Sequence, residues 1–189
     1  MNNIKAAKET IKITECGYYE VSGKKVVFSN EEHNCVTVYS PEDGEKLLEK
    51  YASIPTGGRI CTFKVINSDS FEAARDMEKP FVMNFANAHN PGGGFKLGAN
   101  AQEEALCRCS TLYASISSPK ASEMYRYNNT HVCMVESDYM LLSRMCSYSA
   151  MHRLNYLLSL LRQASSRFLL PIKEARQCLL PPVLLRRPC

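Results

Sequence analysis

Residues 81–115 read FVMNFANAHNPGGGFKLGANAQEEALCRCSTLYAS, and they determine which architecture the sequence predicts. The apolar run Phe81–Ala86 is short and predicts a buried strand. The three glycines Gly92–Gly94 follow, and a backbone without side chains can adopt positive φ and approach a ligand closely. From Gln102 onward the apolar residues have helical spacing. A strand, a glycine loop and a helix start in this order predict a phosphate-binding edge of an α/β sheet.

Two common phosphate-loop motifs do not account for this segment. The Walker motif needs a glycine followed by Lys and then Ser or Thr, and no glycine in the chain is followed in that way. The dinucleotide fingerprint is matched by Gly92 and Gly94, but Leu97 stands where its last glycine belongs. Neither motif explains the adjacent acids Glu103 and Glu104. The pattern that remains is a triglycine, a short spacer, and then Gln-Glu-Glu.

This pattern resembles the signature of the poly(ADP-ribose) glycohydrolases. The surrounding residues 84–94, N-F-A-N-x-x-N-P-G-G-G, are similar to the microbial-type branch of that family. The family is a divergent macrodomain, and the resemblance covers about residues 1–142. It implies a macrodomain-like three-layer α/β/α fold with a mixed sheet, of which the second half is truncated here.

The resemblance also implies an activity and a set of site residues. The activity is hydrolysis of ribose–ribose O-glycosidic bonds in poly(ADP-ribose), which releases ADP-ribose. Glu104 would be the general acid, Glu103 would bind ribose hydroxyls, and Gly92–Gly94 would hold the diphosphate. No metal and no cofactor are expected. The expected ligand contacts are Gly92, Gly93, Gly94, Asn87, Asn90, Phe95 and Gln102.

The chemistry of the residues leads to the same kind of site. A helix N-terminus carries partial positive charge and free N–H groups, so with a glycine loop it suits an anionic diphosphate. Two acids at the same place would lie beside the sugar attached to that diphosphate. A glycosidic bond breaks through an oxocarbenium-like transition state, and a carboxylic acid that protonates the leaving oxygen is the usual catalyst.

Structural interpretations of the same residues remain open at this point. Glu103 lies three residues after Asn100, which is the spacing of a capping box, and acids are favoured in any first helical turn. Asn87 and Asn90 could shape a turn without touching a ligand. Phe95 could stack on a ligand or fill the inside of the loop.

The composition is that of a globular domain. The chain has 189 residues, of which 45% are hydrophobic and 22% are charged. Its nine cysteines are scattered without a C-x-x-C pair, which favours reduced thiols and a cytoplasmic location. The first ten residues, MNNIKAAKET, lack the apolar run of a signal peptide, and no apolar stretch of about 18 residues predicts a membrane span.

Before residue 81 the chain alternates between strand and helix signals, which predicts an α/β sheet that is at least partly parallel. Helices are predicted over residues 2–12, 41–51 and 70–78, with Asn67 or Ser68 capping the last of these. A hairpin is predicted over 18–28, and strands over 35–39 and 60–66. After residue 115 the pattern loosens, and only a strand over 131–135 is predicted.

The composition changes after residue 140. Up to there 15 basic residues accompany 18 acidic ones, whereas 8 basic residues accompany one acid in the remainder. All nine glycines lie at or before Gly98, and the last aspartate is Asp138. We therefore predict two parts. Residues 1–142 are the N-terminal part of the catalytic domain, and residues 143–189 are an atypical tail rich in Arg, Leu and Pro.

The tail has three interpretations. It could be a basic amphipathic helix over 154–164, suited to a membrane surface or an anionic partner. It could be a substitute for the second half of the fold. The abrupt change from Lys to Arg and the loss of Gly and Asp favour the third, a tail that is translated in a shifted reading frame or is disordered. An intact continuation in another frame of the coding DNA would support this hypothesis, and its absence would exclude it.

Two classes of function follow from these observations. The first is a glycohydrolase with Glu104 as its acid. The second is a non-catalytic ADP-ribose-binding module or an inactive truncated fragment. The paired acids favour an enzyme, because a module that only binds needs no acid. Direct nucleic-acid binding is disfavoured, because basic residues in the first 140 are spread out and outnumbered by acids.

Overall fold

A computed structural model describes residues 2–21, 23–27, 36–53, 62–75, 77, 80–131, 135–148 and 152–161. The helices in these ranges are α1 (Asn3–Cys16), α2 (Pro41–Tyr51), α3 (Ser70–Ala74), α4 (Gln102–Cys109), α5 (Leu112–Ile116) and α6 (Ser122–Thr130). The strands are β1 (Tyr18–Val21), β2 (Lys24–Val27), β3 (Val36–Tyr39), β4 (Phe81–Ala86), β5 (Met140–Tyr148) and β6 (His152–Leu161). A short 3₁₀ turn covers Phe95–Leu97.

The main sheet has four strands in the order β3-β5-β6-β4. β4 and β6 run parallel, whereas β3 with β5 and β5 with β6 are antiparallel, so the sheet is mixed. β1 and β2 form a separate antiparallel hairpin. These observations confirm the predicted α/β class with a mixed sheet.

Strand β4 lies at one edge of this sheet and is buried on one face only. Val82, Asn84 and Ala86 are buried beneath the helices. The alternate residues lie on the other face of the strand and are 38–51% exposed: Phe81, Met83 and Phe85. The prediction of a fully buried strand is therefore correct for one face. It fails on the other because none of the described helices covers that side of β4.

The core lies between the buried face of the sheet and the helices. Helices α3 and α4 contact β4, and α5 contacts β5. The large side chains that are completely or almost completely buried include Phe71, Phe95, Leu112, Ile116, Met124 and Leu141. This packing holds the start of α4 against the end of β4, which is where the glycine loop joins the two.

Helix α2 begins and ends where the sequence predicts, whereas α1 runs to Cys16, four residues beyond its predicted end at residue 12. α1 ends at Gly17, whose φ of 73° is the left-handed conformation that glycine adopts easily. α2 begins with a capping box between Ser40 and Asp43, with Pro41 in the first turn. The cap of α3 is a correction, because Asp69 rather than Asn67 or Ser68 accepts the backbone N–H bonds.

Other predicted elements differ from the structure. The helix that begins at Gln102 ends at Cys109, because Ser110 adopts an extended conformation and α5 starts anew at Leu112. Residues 62–66 form no strand. Helix α6 and strand β5 carry too weak a periodic pattern for the sequence to predict them. Most of the predicted strand at 131–135 lies outside the described residues.

The helical interpretation of residues 154–164 is wrong over its described part. Residues 152–161 form β6, which pairs with β4 on one side and β5 on the other. A central strand position gives the backbone two sets of ladder partners, which outweighs the helical spacing of the leucines. Residues 162–189 lie outside the described part of the chain.

Candidate active site

Two adjacent carboxylates face the triglycine turn. Glu104 Oε1 accepts a hydrogen bond from the Gly94 N–H at 3.0 Å, and Glu103 Oε2 accepts one from the Asn87 N–H at 2.9 Å. A Cβ added to Gly93 would lie 2.5 Å from Glu104 Oε1 and 3.5 Å from Glu103 Oε2. Both acids are buried, with 3% and 8% of their surface exposed. The acid pair therefore lies against the glycines of the turn, as the sequence predicts.

The hydrogen bonds of Glu103 exclude its interpretation as a helix cap. Its carboxylate accepts from Asn84 Nδ2 at 3.2 Å and from the backbone N–H groups of Asn87 and Gly92. Asn100 does not cap α4, because its Oδ1 accepts from Arg108 Nη2 at 2.8 Å. Glu103 is thus a buried acid held by the strand and loop that precede it.

Burial changes the protonation of Glu103. It raises the pKa of this carboxyl from its ordinary value of 4.5 to about 7, and the neighbouring charge of Glu104 acts in the same direction. The hydrogen bonds from Asn87, Asn84 and Gly92 lower the pKa and only partly offset the burial. Glu103 therefore changes between a neutral and an anionic form close to neutral pH.

This shifted pKa predicts a pH-dependent stability. As pH rises from about 4.5 through about 7, the unfolded chain releases this proton first, so the free energy of unfolding falls. The stability linked to Glu103 is complete below pH 4.5 and is lost above pH 7. We expect a loss on the order of 3 kcal/mol across this window. Denaturant unfolding at a series of pH values measures it, and Glu103→Gln should remove this part of the slope. An equal slope in the variant would contradict it.

Two positions of the triglycine turn, Gly92 and Gly93, require glycine. Gly92 and Gly93 have φ values of 71° and 53°, which other residues adopt only with strain. A Cβ on Gly92 would also lie 2.9 Å from Cδ2 of Tyr113. The N–H groups of the turn are engaged within the protein, that of Gly93 by Asn90 O at 3.0 Å. The role of the turn as a diphosphate cradle therefore stays a prediction.

Asn87 and Phe95, two of the predicted ligand contacts, have partners within the protein. Asn87 Oδ1 accepts from the N–H groups of His89 and Asn90 at 2.9 and 2.8 Å, which is the turn-forming alternative. Phe95 is completely buried and its ring packs 4.9 Å from that of Tyr113. Phe95 therefore fills the inside of the loop, which is one of its two predicted roles, and its contact with a ligand stays a prediction.

Gln102, also predicted as a ligand contact, takes the place of a neighbouring strand at the open edge of β4. Its Oε1 accepts from the Phe85 N–H at 2.7 Å, and its Nε2 donates to Met83 O at 2.9 Å. These two backbone groups lie on the same side of the strand, where a further strand would pair. The amide therefore links the first residue of α4 to β4 and satisfies two backbone groups at an exposed sheet edge.

Replacing Gln102 tests this structural role. Gln102→Ala should reduce the free energy of unfolding by about 1–3 kcal/mol, because it leaves two backbone groups without their side-chain partner. Gln102→Glu is the matched variant, since its carboxylate can still accept from Phe85 N–H but repels Met83 O. We expect it to destabilise the chain as well when measured by denaturant unfolding above pH 6. Stability equal to wild type in both variants would contradict the role.

Helix α6 holds the loop that follows β4, which the sequence did not reveal. Asn128 Nδ2 donates to Ala88 O at 2.9 Å, and Asn129 Nδ2 donates to His89 O at 3.1 Å. The His89 ring bonds Asn129 Oδ1 at 3.0 Å and Glu136 Oε1 at 3.2 Å. These contacts fix the loop from which Asn87 reaches Glu103.

Within the described residues, no group of three His, Cys, Asp or Glu side chains is arranged to hold a metal ion. Cys107 is buried in the core, and Cys109 bonds back to the carbonyl oxygens of Ala105 and Leu106 within its own helix. None of the helices in the described part of the chain is both long and apolar enough to cross a membrane.

Comparison with protein families decides the affiliation of this site. The family model described as the microbial-type PARG catalytic domain matches residues 7–149, which include the whole of the loop and the acid pair. The chain belongs to this family. The match ends seven residues beyond the boundary at 142 that the sequence predicted.

Solved structures of poly(ADP-ribose) glycohydrolases are similar to this chain. The poly(ADP-ribose) glycohydrolase from Thermomonospora curvata is 28% identical with a TM-score of 0.70, over 84% of this chain and 63% of that one. Its structure bound to the inhibitor ADP-HPD has a TM-score of 0.67 at the same identity, with 84% and 62% covered. The enzyme from Deinococcus radiodurans in complex with ADP-ribose is 31% identical with a TM-score of 0.60, with 69% and 56% covered.

The chain therefore spans about 63% of the length of its Thermomonospora relative. A comparison with curated proteins found no match.

Proposed function

We propose that this chain binds ADP-ribose and hydrolyses the ribose–ribose O-glycosidic bonds of poly(ADP-ribose). The observation that supports this most is the position of Glu103 and Glu104 against the triglycine turn, in a chain of the microbial-type PARG family. Relatives have been solved with ADP-ribose and with the inhibitor ADP-HPD. A cytoplasmic location, where the thiols stay reduced, is part of this proposal.

In this mechanism Glu104 is the general acid. Its protonated carboxyl donates the proton to the leaving ribose oxygen as the bond from the anomeric carbon to that oxygen breaks. Water then adds to the anomeric carbon, and its proton returns to the Glu104 carboxylate. One water is consumed for each ADP-ribose released. Glu103 would hold the hydroxyls of the ribose that develops positive charge.

The alternative function is binding of ADP-ribose without turnover. Two observations favour it: the chain spans only about 63% of the length of its Thermomonospora relative, and the outer face of β4 is exposed. A site needs its reacting groups held to within about 0.5 Å, so a chain with an exposed face of β4 could bind ADP-ribose and yet fail to react.

Two measurements on the purified full chain separate these functions. Calorimetric titration with ADP-ribose measures binding, and chromatography of ADP-ribose released from the polymer measures turnover. We expect both, with release blocked by ADP-HPD. Binding without release would favour the second function. A chain that neither binds ADP-ribose nor releases it would contradict both.

A further inference from the structure

One buried polar group on helix α6 has no role in the proposed mechanism. The Tyr125 side chain lies on α6 and is only 6% exposed, and its hydroxyl has no hydrogen-bond partner among the described residues. Such a group is costly to bury, because it loses its bonds to water and gains none in return. Buried orphan hydroxyls are uncommon in folded proteins and usually have a bound water or a functional reason.

Tyr125 lies on the face of α6 that contacts the loop of the site. Tyr125 lies three residues before Asn128, hence on the same face of α6, and Asn128 is bonded to Ala88 O in the loop of the site. The charges that act on the phenol are those of Glu103 and Cys107 on α4 and of Tyr113 on α5. Burial first, and then these charges, raise the pKa of Tyr125, so its hydroxyl keeps its proton and is a donor.

Glu103 has one place for such a donor. A carboxylate has about four lone-pair directions. Three of them are used, by Asn84 Nδ2 and by the N–H groups of Asn87 and Gly92. Tyr125 is within electrostatic reach of Glu103 but makes no direct hydrogen bond to it. One oxygen that both accepts and donates would connect the two groups.

We propose that Tyr125 is a positioning residue that donates to Glu103 through one such oxygen. In the ligand-free chain this oxygen is a buried water, and in the complex it is a ribose hydroxyl that replaces the water. Tyr125 thereby favours the anionic form of Glu103, which is the form that accepts a sugar hydroxyl. The part of this inference that concerns ribose rests on the proposed function, whereas the coupling between Tyr125 and Glu103 does not.

The decisive measurement follows the titration of Glu103 through protein stability. The unfolding free energies of wild type and Glu103→Gln are measured over a range of pH. Their difference gives the midpoint of the Glu103 titration, the pH at which this carboxyl is half protonated in the folded chain. The same difference is then measured in the Tyr125→Phe background. We expect the midpoint to move up by about one pH unit, because the anionic carboxylate loses a donor. Glu104, Cys107 and Tyr113, the other titratable groups facing this pair, are unchanged in both backgrounds.

Tyr139→Phe is the matched control. Tyr139 is also buried, but its hydroxyl donates to Glu123 Oε1 at 3.2 Å, away from the acid pair. The control should lower stability and leave the Glu103 midpoint in place. An unchanged midpoint in Tyr125→Phe overturns the inference. A Tyr125 hydroxyl that is not coupled to Glu103 would leave the midpoint unchanged, and its removal would raise the melting temperature of the protein.

Titration with ADP-ribose separates this inference from the proposed function. We expect Tyr125→Phe to weaken binding about tenfold, the equivalent of one hydrogen bond. Unchanged affinity would overturn the role toward ribose. If wild type does not bind ADP-ribose, the proposed function fails, and the midpoint of Glu103 still decides whether Tyr125 is coupled to it.

Discussion

Glu104→Gln is expected to lower the rate of ADP-ribose release from poly(ADP-ribose) by about 10²–10⁴-fold, the usual contribution of a general acid. The glutamine has the shape of the acid but no proton to give to the leaving oxygen. Its amide oxygen can still accept from the Gly94 N–H, which bonds Glu104 Oε1 at 3.0 Å in wild type. The glycine turn should therefore persist, and binding of ADP-ribose should change by no more than a few-fold.

Glu42→Gln is the matched control for this variant. Glu42 also lies in the first turn of a helix, α2, but that helix begins at Pro41 after the cap Ser40 and follows no glycine loop. The same chemical change there should leave the release of ADP-ribose unaltered. Release by Glu104→Gln at the wild-type rate would remove the acid from its proposed role. Equal loss of binding and of rate would indicate a site that had collapsed.

The sequence predicted the parts of the site that depend on neighbouring residues. The apolar run of β4, the positive-φ glycines and the acids at the start of α4 are local signals, and each lies where it was expected. The carboxylates could be placed near the turn because only seven residues separate Gly94 from Gln102. The family affiliation followed from the same short segment.

The sequence could not predict the contacts that give these residues their environment. Asn84 and Glu103 are separated by 19 residues, and Ala88 and Asn128 by 40, so their hydrogen bonds depend on how α4 and α6 pack. One signal was available in β4. Asn84 occupies an inward position of an alternating strand, and a buried amide at such a position needs a polar partner. That partner is Glu103.

The same reasoning explains why two residues that were predicted to contact a ligand also have partners within the protein. Gln102 bonds the edge of β4, and Phe95 packs on Tyr113, because an open strand edge and a hollow turn both need to be filled. Neither requirement is visible before the strand order is known. β6 is the converse case, since its leucines have helical spacing and only pairing with β4 and β5 makes it a strand.

Gly93→Ala should reduce both the affinity for ADP-ribose and its release by about 100-fold or more, because misplacing a reacting group by about 1 Å has effects of that size. The added Cβ would lie 2.5 Å from Glu104 Oε1, so the carboxylate would have to move away from the Gly94 N–H. The alanine would also be strained at a φ of 53°. That strain alone should lower stability by about 1–2 kcal/mol.

Gly23→Ala separates the strain from the displaced carboxylate. Gly23, between β1 and β2, has a φ of 74°, and a Cβ there would meet nothing within 4 Å. This variant should lose about 1–2 kcal/mol of stability through strain and keep wild-type affinity and release. Both variants are assayed at a temperature at which thermal melts show them folded. If Gly93→Ala then binds and releases ADP-ribose as Gly23→Ala does, the position of Glu104 against the turn is irrelevant to function. If only Gly93→Ala loses affinity for ADP-ribose and its release, the contact between Glu104 and the glycine backbone holds the site in the geometry that function requires.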